Sequence, residues 1–332
     1  MNNRKLGRSE IEVSALGMGC WAIGGPFWDG DLPNGWGDVN DDDSIASIHK
    51  ALDMGVTLFD TADVYGAGHS EYVLAQALGN RRKDVVIATK FGYTFDEETR
   101  HTFEGRSDAA YIRSAVDESL RRLNTDYIDL YQFHINEHPL EGADVVRDTL
   151  EDLVQAGKIR AYGWSTDFIE KAAIFNEGAH NSAVQFECNV LDVNREMIAF
   201  CEQHNLGGLN RGPLAMGILT GKFTRASTLA EDDVRGPKQT QSDEGYFNYG
   251  KPNAKMLAQL EAIREVLRSG GRTLAQGAIA WLWAASEMML PIPGFKTVAQ
   301  VEENAGALQY GPLTADQMAE IDRILERDAV LS

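Results

Sequence analysis

From end to end the chain alternates short, continuously apolar runs with longer segments whose apolar residues recur at helical spacing. The runs are Ala15 to Met18, Val56 to Phe59, Asp84 to Thr89, Tyr127 to Phe133, Ile159 to Tyr162, Ala183 to Phe186, Leu206 to Leu209 and Met288 to Ile292. They are too uniformly apolar to be half-exposed antiparallel strands, and such strands belong in parallel sheets covered by helices on the outside. Between them Asp43-Ser44 offers a cap for Ile45, Ile48, Ala51 and Leu52, a stripe that stops at Gly55. Ser107-Asp108 opens a segment with Ile112, Ala115, Val116, Ser119, Leu120 and Leu123 on one face. Val145, Thr149, Leu150 and Leu153 form a third stripe closed by Gly157, and Thr273, Leu274, Gly277, Ala278 and Trp281 a fourth. Strand–helix alternation repeated about eight times predicts an α/β chain closed into a (β/α)8 TIM barrel.

The 332 residues would allow two domains by length, but a barrel with insertions reaches this size, and no linker-like shift in composition divides the chain. One domain over residues 1–332 is the expectation. Two departures from regularity matter. Lys5 to Ile11 holds a glycine turn between strand-like pieces, which predicts an N-terminal hairpin. Ala22 to Asp43, with Phe27, Trp28 and Trp36, and the polar stretch Thr224 to Asn253 are long irregular loops. Loops of that length are commonly functional, and the aromatic one reads as a substrate-side loop.

With 31 basic against 50 acidic residues the net charge is −19, which argues against a nucleic-acid or anionic-membrane partner. Cys20, Cys188 and Cys201 lack CxxC spacing, so neither disulfides nor a cysteine zinc site is expected, and a reducing compartment fits. No apolar run approaches ~18 residues, and Met1 to Lys5 leads into polar sequence rather than a secretory signal. A cytoplasmic protein is expected. His134 and His138 could pair on a metal only within a helix, which Pro139 opposes, so no metal is expected.

In a barrel of this kind, polar residues at the C-terminal strand ends share one mouth. Read in order they are Asp60, Lys90, His134, Ser165 and Gln185, with Tyr65 just after Asp60. This set suits carbonyl reduction. A hydride adding to carbonyl carbon leaves charge on oxygen, which a tyrosine can protonate, and the reverse reaction needs tyrosinate. A neighbouring ammonium such as Lys90 stabilises tyrosinate, Asp60 would hold that ammonium, and His134 would orient the carbonyl oxygen. Two other readings compete: a lyase using Lys90 as a Schiff-base amine, and a non-catalytic nicotinamide-binding subunit that senses redox state. Trp21, Trp28 and Tyr93 are the expected walls of the substrate pocket.

Phe59-Asp60-Thr61-Ala62-Asp63-Val64-Tyr65-Gly66, Ala88-Thr89-Lys90 and Leu130 to His134 closely resemble the aldo-keto reductases. The resemblance runs from Leu16-Gly17-Met18-Gly19 to Glu302-Glu303-Asn304. It implies a barrel whose base is sealed by the hairpin, a tetrad of Asp60, Tyr65, Lys90 and His134, and NADPH bound extended without a Rossmann domain. The substrate implied is a small carbonyl compound or alcohol, among them aldehydes, ketones and keto-sugars. By the same resemblance Gly19, Cys20 and Trp21 lie at the cofactor, and Ser165, Thr166 and Gln185 meet the nicotinamide carboxamide. Gly212, Pro213, Leu214, Gly217 and Lys222 follow the pyrophosphate. Gly294, Phe295, Lys296, Thr297, Gln300, Glu303 and Asn304 hold the adenosine end, with Lys296 the cation for a 2′-phosphate, hence NADPH over NADH. Thr166 and Gln300 stand where the family usually has asparagine and arginine. Arg211 stands where an aromatic residue stacks on the nicotinamide. Its guanidinium could stack there and favour bound NADPH over NADP⁺, or it could simply pair with a loop carboxylate.

Overall fold

The computed structural model describes residues 3–239 and 245–327, and the part of the long polar loop at 240–244 lies outside them. Eight strands form one parallel sheet: β1 (Gly17–Gly19), β2 (Leu58–Asp60), β3 (Val86–Phe91), β4 (Ile128–Phe133), β5 (Ile159–Ser165), β6 (Asn181–Glu187), β7 (Gly207–Arg211) and β8 (Met289–Pro291). Each pairs with the next in chain order. Every apolar run in the sequence became a strand, and several strands extend beyond the run to include the polar residue that follows it.

The first and last strands meet through a single parallel bridge between Gly19 and Gly294, with Gly19 N–H donating to Pro293 O at 3.0 Å. That seam closes the barrel. Gly19 is needed there, since a Cβ on it would sit 2.8 Å from Ile292 O, whereas one on Gly294 would come no closer than 3.8 Å to Gly19 O.

The predicted hairpin is present, Arg4–Lys5 pairing antiparallel with Glu12–Val13. Leu6, Ile11 and Val13 pack with Leu58, Val86, Ala88, Leu130, Ala161, Leu209 and Leu290 in one buried cluster inside the barrel. The hairpin thus plugs the N-terminal end of the barrel, and the opposite end stays open. A second, larger core lies between the strands and the surrounding helices and includes Trp164, Trp281 and Phe175. Cys20, Cys188 and Cys201 are all buried in it. Burial raises the pKa of each thiol.

The helices that pack on the strands begin where capping chemistry allows. Asp108 caps α3 (Ala109–Leu123) by accepting from Tyr111 N–H, as its sequence predicts. The first helix, α1 (Asp41–Asp53), differs: Asn40 is the cap, accepting from Asp43 N–H, and Asp41 to Asp43 fill the first turn. Three carboxylates there favour the positive end of the helix dipole. In α4 (Ala143–Gln155) the expected stripe holds at Thr149, Leu150 and Leu153, but Val146 rather than Val145 continues it and Val145 is exposed. No helix among the described residues is long and apolar enough to cross a membrane.

Both long loops fold over the open end. Trp28–Asp29 and Leu32–Pro33 from the first join Tyr93–Phe95 and His101–Gly105, which follow β3, in a four-stranded sheet at the mouth. The second loop is tied to the first by a bridge between Trp36 and Asp233 and by Val234 N–H donating to Gly35 O at 2.8 Å.

Candidate active site

Asp60 is the last residue of β2 and Lys90 the penultimate residue of β3, so adjacent parallel strands carry both side chains to the same end of the barrel. Both are buried, Lys90 with 0% exposure. The Lys90 ammonium has three protons and three acceptors: Asp60 Oδ1 at 2.6 Å, Thr61 O at 2.8 Å and Tyr65 Oη at 3.1 Å. Asp60 Oδ2 accepts from Gln132 Nε2 at 3.1 Å and Gln185 Nε2 at 2.7 Å. The carboxylate is therefore gripped from three sides, and it aims the ammonium at the phenol.

Tyr65 reaches this point from the turn after β2. Gly66 adopts φ +62 and presses against the first loop, where a Cβ would lie 1.9 Å from Gly24 O. The Tyr65 ring stacks on Trp21 at 5.9 Å and meets the His134 ring edge-on at 5.7 Å. His134 directly follows β4, and its N–H donates to Phe91 O at 2.8 Å. Its Nδ1 is buried without a protein partner.

Burial opposes the Lys90 charge, but the Asp60 carboxylate and the Tyr65 phenol outweigh it, and its pKa is raised. Burial pushes the Tyr65 phenol up, Lys90 pulls it down and Asp60 adds to the rise, leaving it above its ordinary value. Lys90 thus restrains the rise without reversing it. Burial, with the positive charges of Lys90 and Arg211, drives His134 well below the usual imidazole range, so this ring is neutral.

Asp60, Tyr65 and His134 line a cavity of about 690 Å³ that runs across the mouth to the seam between β1 and β8. Lys90 sits behind it. Most of the other residues predicted from sequence line this cavity: Gly19, Trp21, Tyr93, Ser165, Gln185, Arg211, Gly212, Pro213, Leu214, Gly217, Lys222, Gly294, Phe295, Lys296, Gln300, Glu303 and Asn304.

Four predicted residues do not. Cys20 is fully buried between Gly19 and Trp21, its thiol turned to Met18 O, because alternate residues face opposite ways at the strand end. The Thr166 hydroxyl donates to Asn136 O at 3.2 Å and is buried, and Asn136 lines the cavity in its place. Thr297 caps α9 (Val298–Gly306), accepting from Gln300 N–H. Trp28 turns away, its ring 5.8 Å from that of His101, while its neighbours Phe27 and Asp29 face the cavity.

Arg211 lines the cavity, and its guanidinium pairs with Asp167 and with Glu187 Oε2 at 2.5 Å. The side chain thus makes the carboxylate pairs that the sequence left as one of two readings, with Asp167 after β5 and with Glu187 at the end of β6.

Residues that sequence reasoning missed complete the site. Gln132 is one of two polar residues, with Asp129, in the buried strand β4, a signal that was legible. Arg235 is different, because the loop that carries it has no periodicity. Its guanidinium is forked onto Asp233, donates to Met216 O at 2.9 Å and lies 4.4 Å from the Trp36 ring centroid. Together with Lys222, Lys296 and Asp233 it forms one group of interacting charges in the cavity lining. Lys296 donates to the carbonyl oxygens of Trp36 and Asp38.

Residues 15–326 match the model of the aldo/keto reductase family. The chain belongs to that family. It is 30% identical to the aldo-keto reductase YhdN of Bacillus subtilis (strain 168), over 98% of this chain and 94% of that protein. It is 32% identical to the aldo-keto reductase yakc [NADP(+)] of Schizosaccharomyces pombe, over 92% of this chain and 86% of the other. Among solved structures, the glycerol dehydrogenase AKR11B4 from Gluconobacter oxydans superposes with a TM-score of 0.82 at 32% identity, covering 97% of this chain and 94% of its own. This family member is thus an oxidoreductase on a TIM barrel.

Proposed function

We propose that this aldo-keto reductase family member uses NADP(H) to interconvert aldehydes, ketones or keto-sugars and their alcohols, as one catalytic domain over the whole chain in a reducing cytoplasm. The observation that carries the reading is the Lys90 ammonium, fixed by Asp60 and donating to Tyr65 Oη at 3.1 Å beside the neutral His134.

The cavity fits an elongated dinucleotide. Gly212 and Gly217, with φ of +64 and +97, lay backbone open along its middle. Lys222, Arg235 and Lys296 supply cations for phosphates, as an adenosine 2′-phosphate requires. Ser165, Asn136 and Gln185 present polar groups beside the tetrad for a carboxamide. When bound, the cofactor supplies or accepts the hydride.

The chain's own residues handle the proton. Since Lys90 donates to Tyr65 Oη, the phenolic hydrogen is free to point into the cavity, toward a carbonyl oxygen. Tyr65 gives that proton as the oxygen gains charge, and Lys90 stabilises the tyrosinate left behind. His134, neutral, donates one N–H to the same oxygen and orients it. Trp21, Phe27 and Trp36 exclude water around the reacting centre. The arrangement disfavours Lys90 as a Schiff-base amine, because an ammonium with all three protons donated and a raised pKa has no lone pair to attack with.

The test is a panel of aldehydes, ketones and keto-sugars followed by loss of NADPH absorbance. Tyr65→Phe is expected to lower turnover by ~10²–10⁴-fold or more while NADPH binding, read by fluorescence, stays near wild type. Loss of both together would make Tyr65 structural, and binding of NADPH with no turnover of any carbonyl would favour the sensing subunit.

A further inference from the structure

The cavity is divided by charge. Lys222 and Lys296 lie together with Arg235, itself forked onto Asp233, and Arg211 is already paired with two carboxylates. Around Tyr65 and His134 the walls are aromatic, formed by Trp21, Phe27, Tyr93 and Phe103, the last 56% exposed at the rim. Arg211 and Glu187 also line the cavity but pair with each other, whereas Asp29, beside Tyr93, is exposed and has no ion-pair partner among the described residues. The mouth sheet holds it in place, pairing Asp29 with Leu32 and Thr102.

Asp29 acts at short range. Burial first, and then the charges of Asp29 and Glu137, raise the Tyr93 phenol, whose ring is 5.8 Å from that of His134. The basic groups nearby are committed elsewhere. Arg106 pairs with Asp108, Arg100 donates to Pro26 O at 3.4 Å, and neither lines the cavity.

Resting on the reductase reading above, we infer that Asp29 sets the charge specificity of the substrate pocket, which takes carbonyl compounds with an aromatic or apolar body that is neutral or cationic and turns away carboxylates and phosphates. An anionic substrate would enter beside an unpaired carboxylate and find no cation to receive it, which is selection by an unfavourable contact rather than by an added favourable one. A cationic group is attracted by the same carboxylate and by the faces of the surrounding rings.

The experiment compares para-carboxybenzaldehyde, its methyl ester and para-trimethylammoniobenzaldehyde with NADPH. In the wild-type protein kcat/KM for the ammonium aldehyde is expected to exceed that for the carboxylate by roughly three- to ten-fold beyond their intrinsic reactivities, as for an exposed ion pair. The difference should lie mainly in KM and shrink with added salt. Asp29→Asn should narrow the ammonium-to-carboxylate ratio and Asp29→Lys should invert it. A ratio unmoved by Asp29→Lys overturns the inference. If none of the three aldehydes is reduced, the reductase reading fails for such substrates. The charge preference is then read by tryptophan quenching of NADP⁺-loaded protein titrated with the corresponding alcohols. Weaker binding of the carboxylate alcohol, relieved in Asp29→Lys, upholds the inference, and equal binding of all three overturns it.

Discussion

At the scale of single residues the candidate chemistry turns on which of two opposed effects wins at Tyr65. Burial raises the phenol and Lys90 lowers it, and burial wins. The phenol is therefore protonated across the neutral range, the form that carbonyl reduction requires. Reduction is expected to be level from pH 6 to 9 and to fall only above the ordinary phenol value of ~10. Alcohol oxidation needs tyrosinate and should rise over that same upper limb. His134, neutral already, should add no step near its usual value of ~6.5. A reduction rate that halves below pH 8 would show that the proton comes from another group. Lys296 offers a second residue-scale check. Burial lowers its pKa, yet Asp233 and Asp38 oppose that. Lys296→Ala should weaken NADPH by about ten-fold, the usual order for one charge-assisted contact, and NADH far less. Equal weakening of both cofactors would remove this side chain from the phosphate end. The tetrad was legible because each member stands at or near the end of an apolar run, where strand and mouth coincide. Thr166 was misread because its partner Asn136 is distant in sequence, and Cys20 because the direction of a side chain just past a strand end is not written in its neighbours. The two readings of Arg211 stay open in the sequence because Asp167 and Glu187 approach it from far along the chain.

At the scale of elements the contact between the turn after β2 and the aromatic loop positions the phenol. Gly66 touches Gly24 backbone to backbone. Gly66→Ala forces a shift of the turn that carries Tyr65, and at φ +62 it strains the backbone as well. A loss of about 1–2 kcal/mol of stability is expected, read as a lower thermal midpoint. The fall in kcat should be larger than that stability loss alone explains. A variant that loses stability yet keeps wild-type kcat would show that the turn does not aim Tyr65. All eight strands were visible in the sequence because strands buried on both faces leave an unbroken apolar run. The mouth sheet was not. Its strands include pairs only two residues long, at Trp28–Asp29 and Leu32–Pro33, and they pair with a segment some 70 positions away, so no periodicity announces them. The error at Trp28 follows directly, since only the pairing decides which of Phe27, Trp28 and Asp29 faces inward.

At the scale of the whole molecule the barrel is closed by one bridge at the same place where the cavity crosses it. Gly19, Pro293 and Gly294 belong both to that closure and to the cavity lining. Ligand bound there should therefore act as a clasp on the barrel. Hydrogen exchange at Gly19 N–H, which donates to Pro293 O, is expected to slow on saturation with NADPH more than exchange at β4 and β5, where the ladder is continuous. Uniform slowing throughout the sheet would mean that stabilisation is global and that the seam has no special part in binding. The placement of the three cysteines carries a consequence of its own. Under the proposed function the protein would work among electrophiles that alkylate thiolates, and Cys20, Cys188 and Cys201 are packed inside with their ionisation suppressed. Such a molecule tolerates reactive carbonyls at concentrations that would poison an enzyme with a surface thiol.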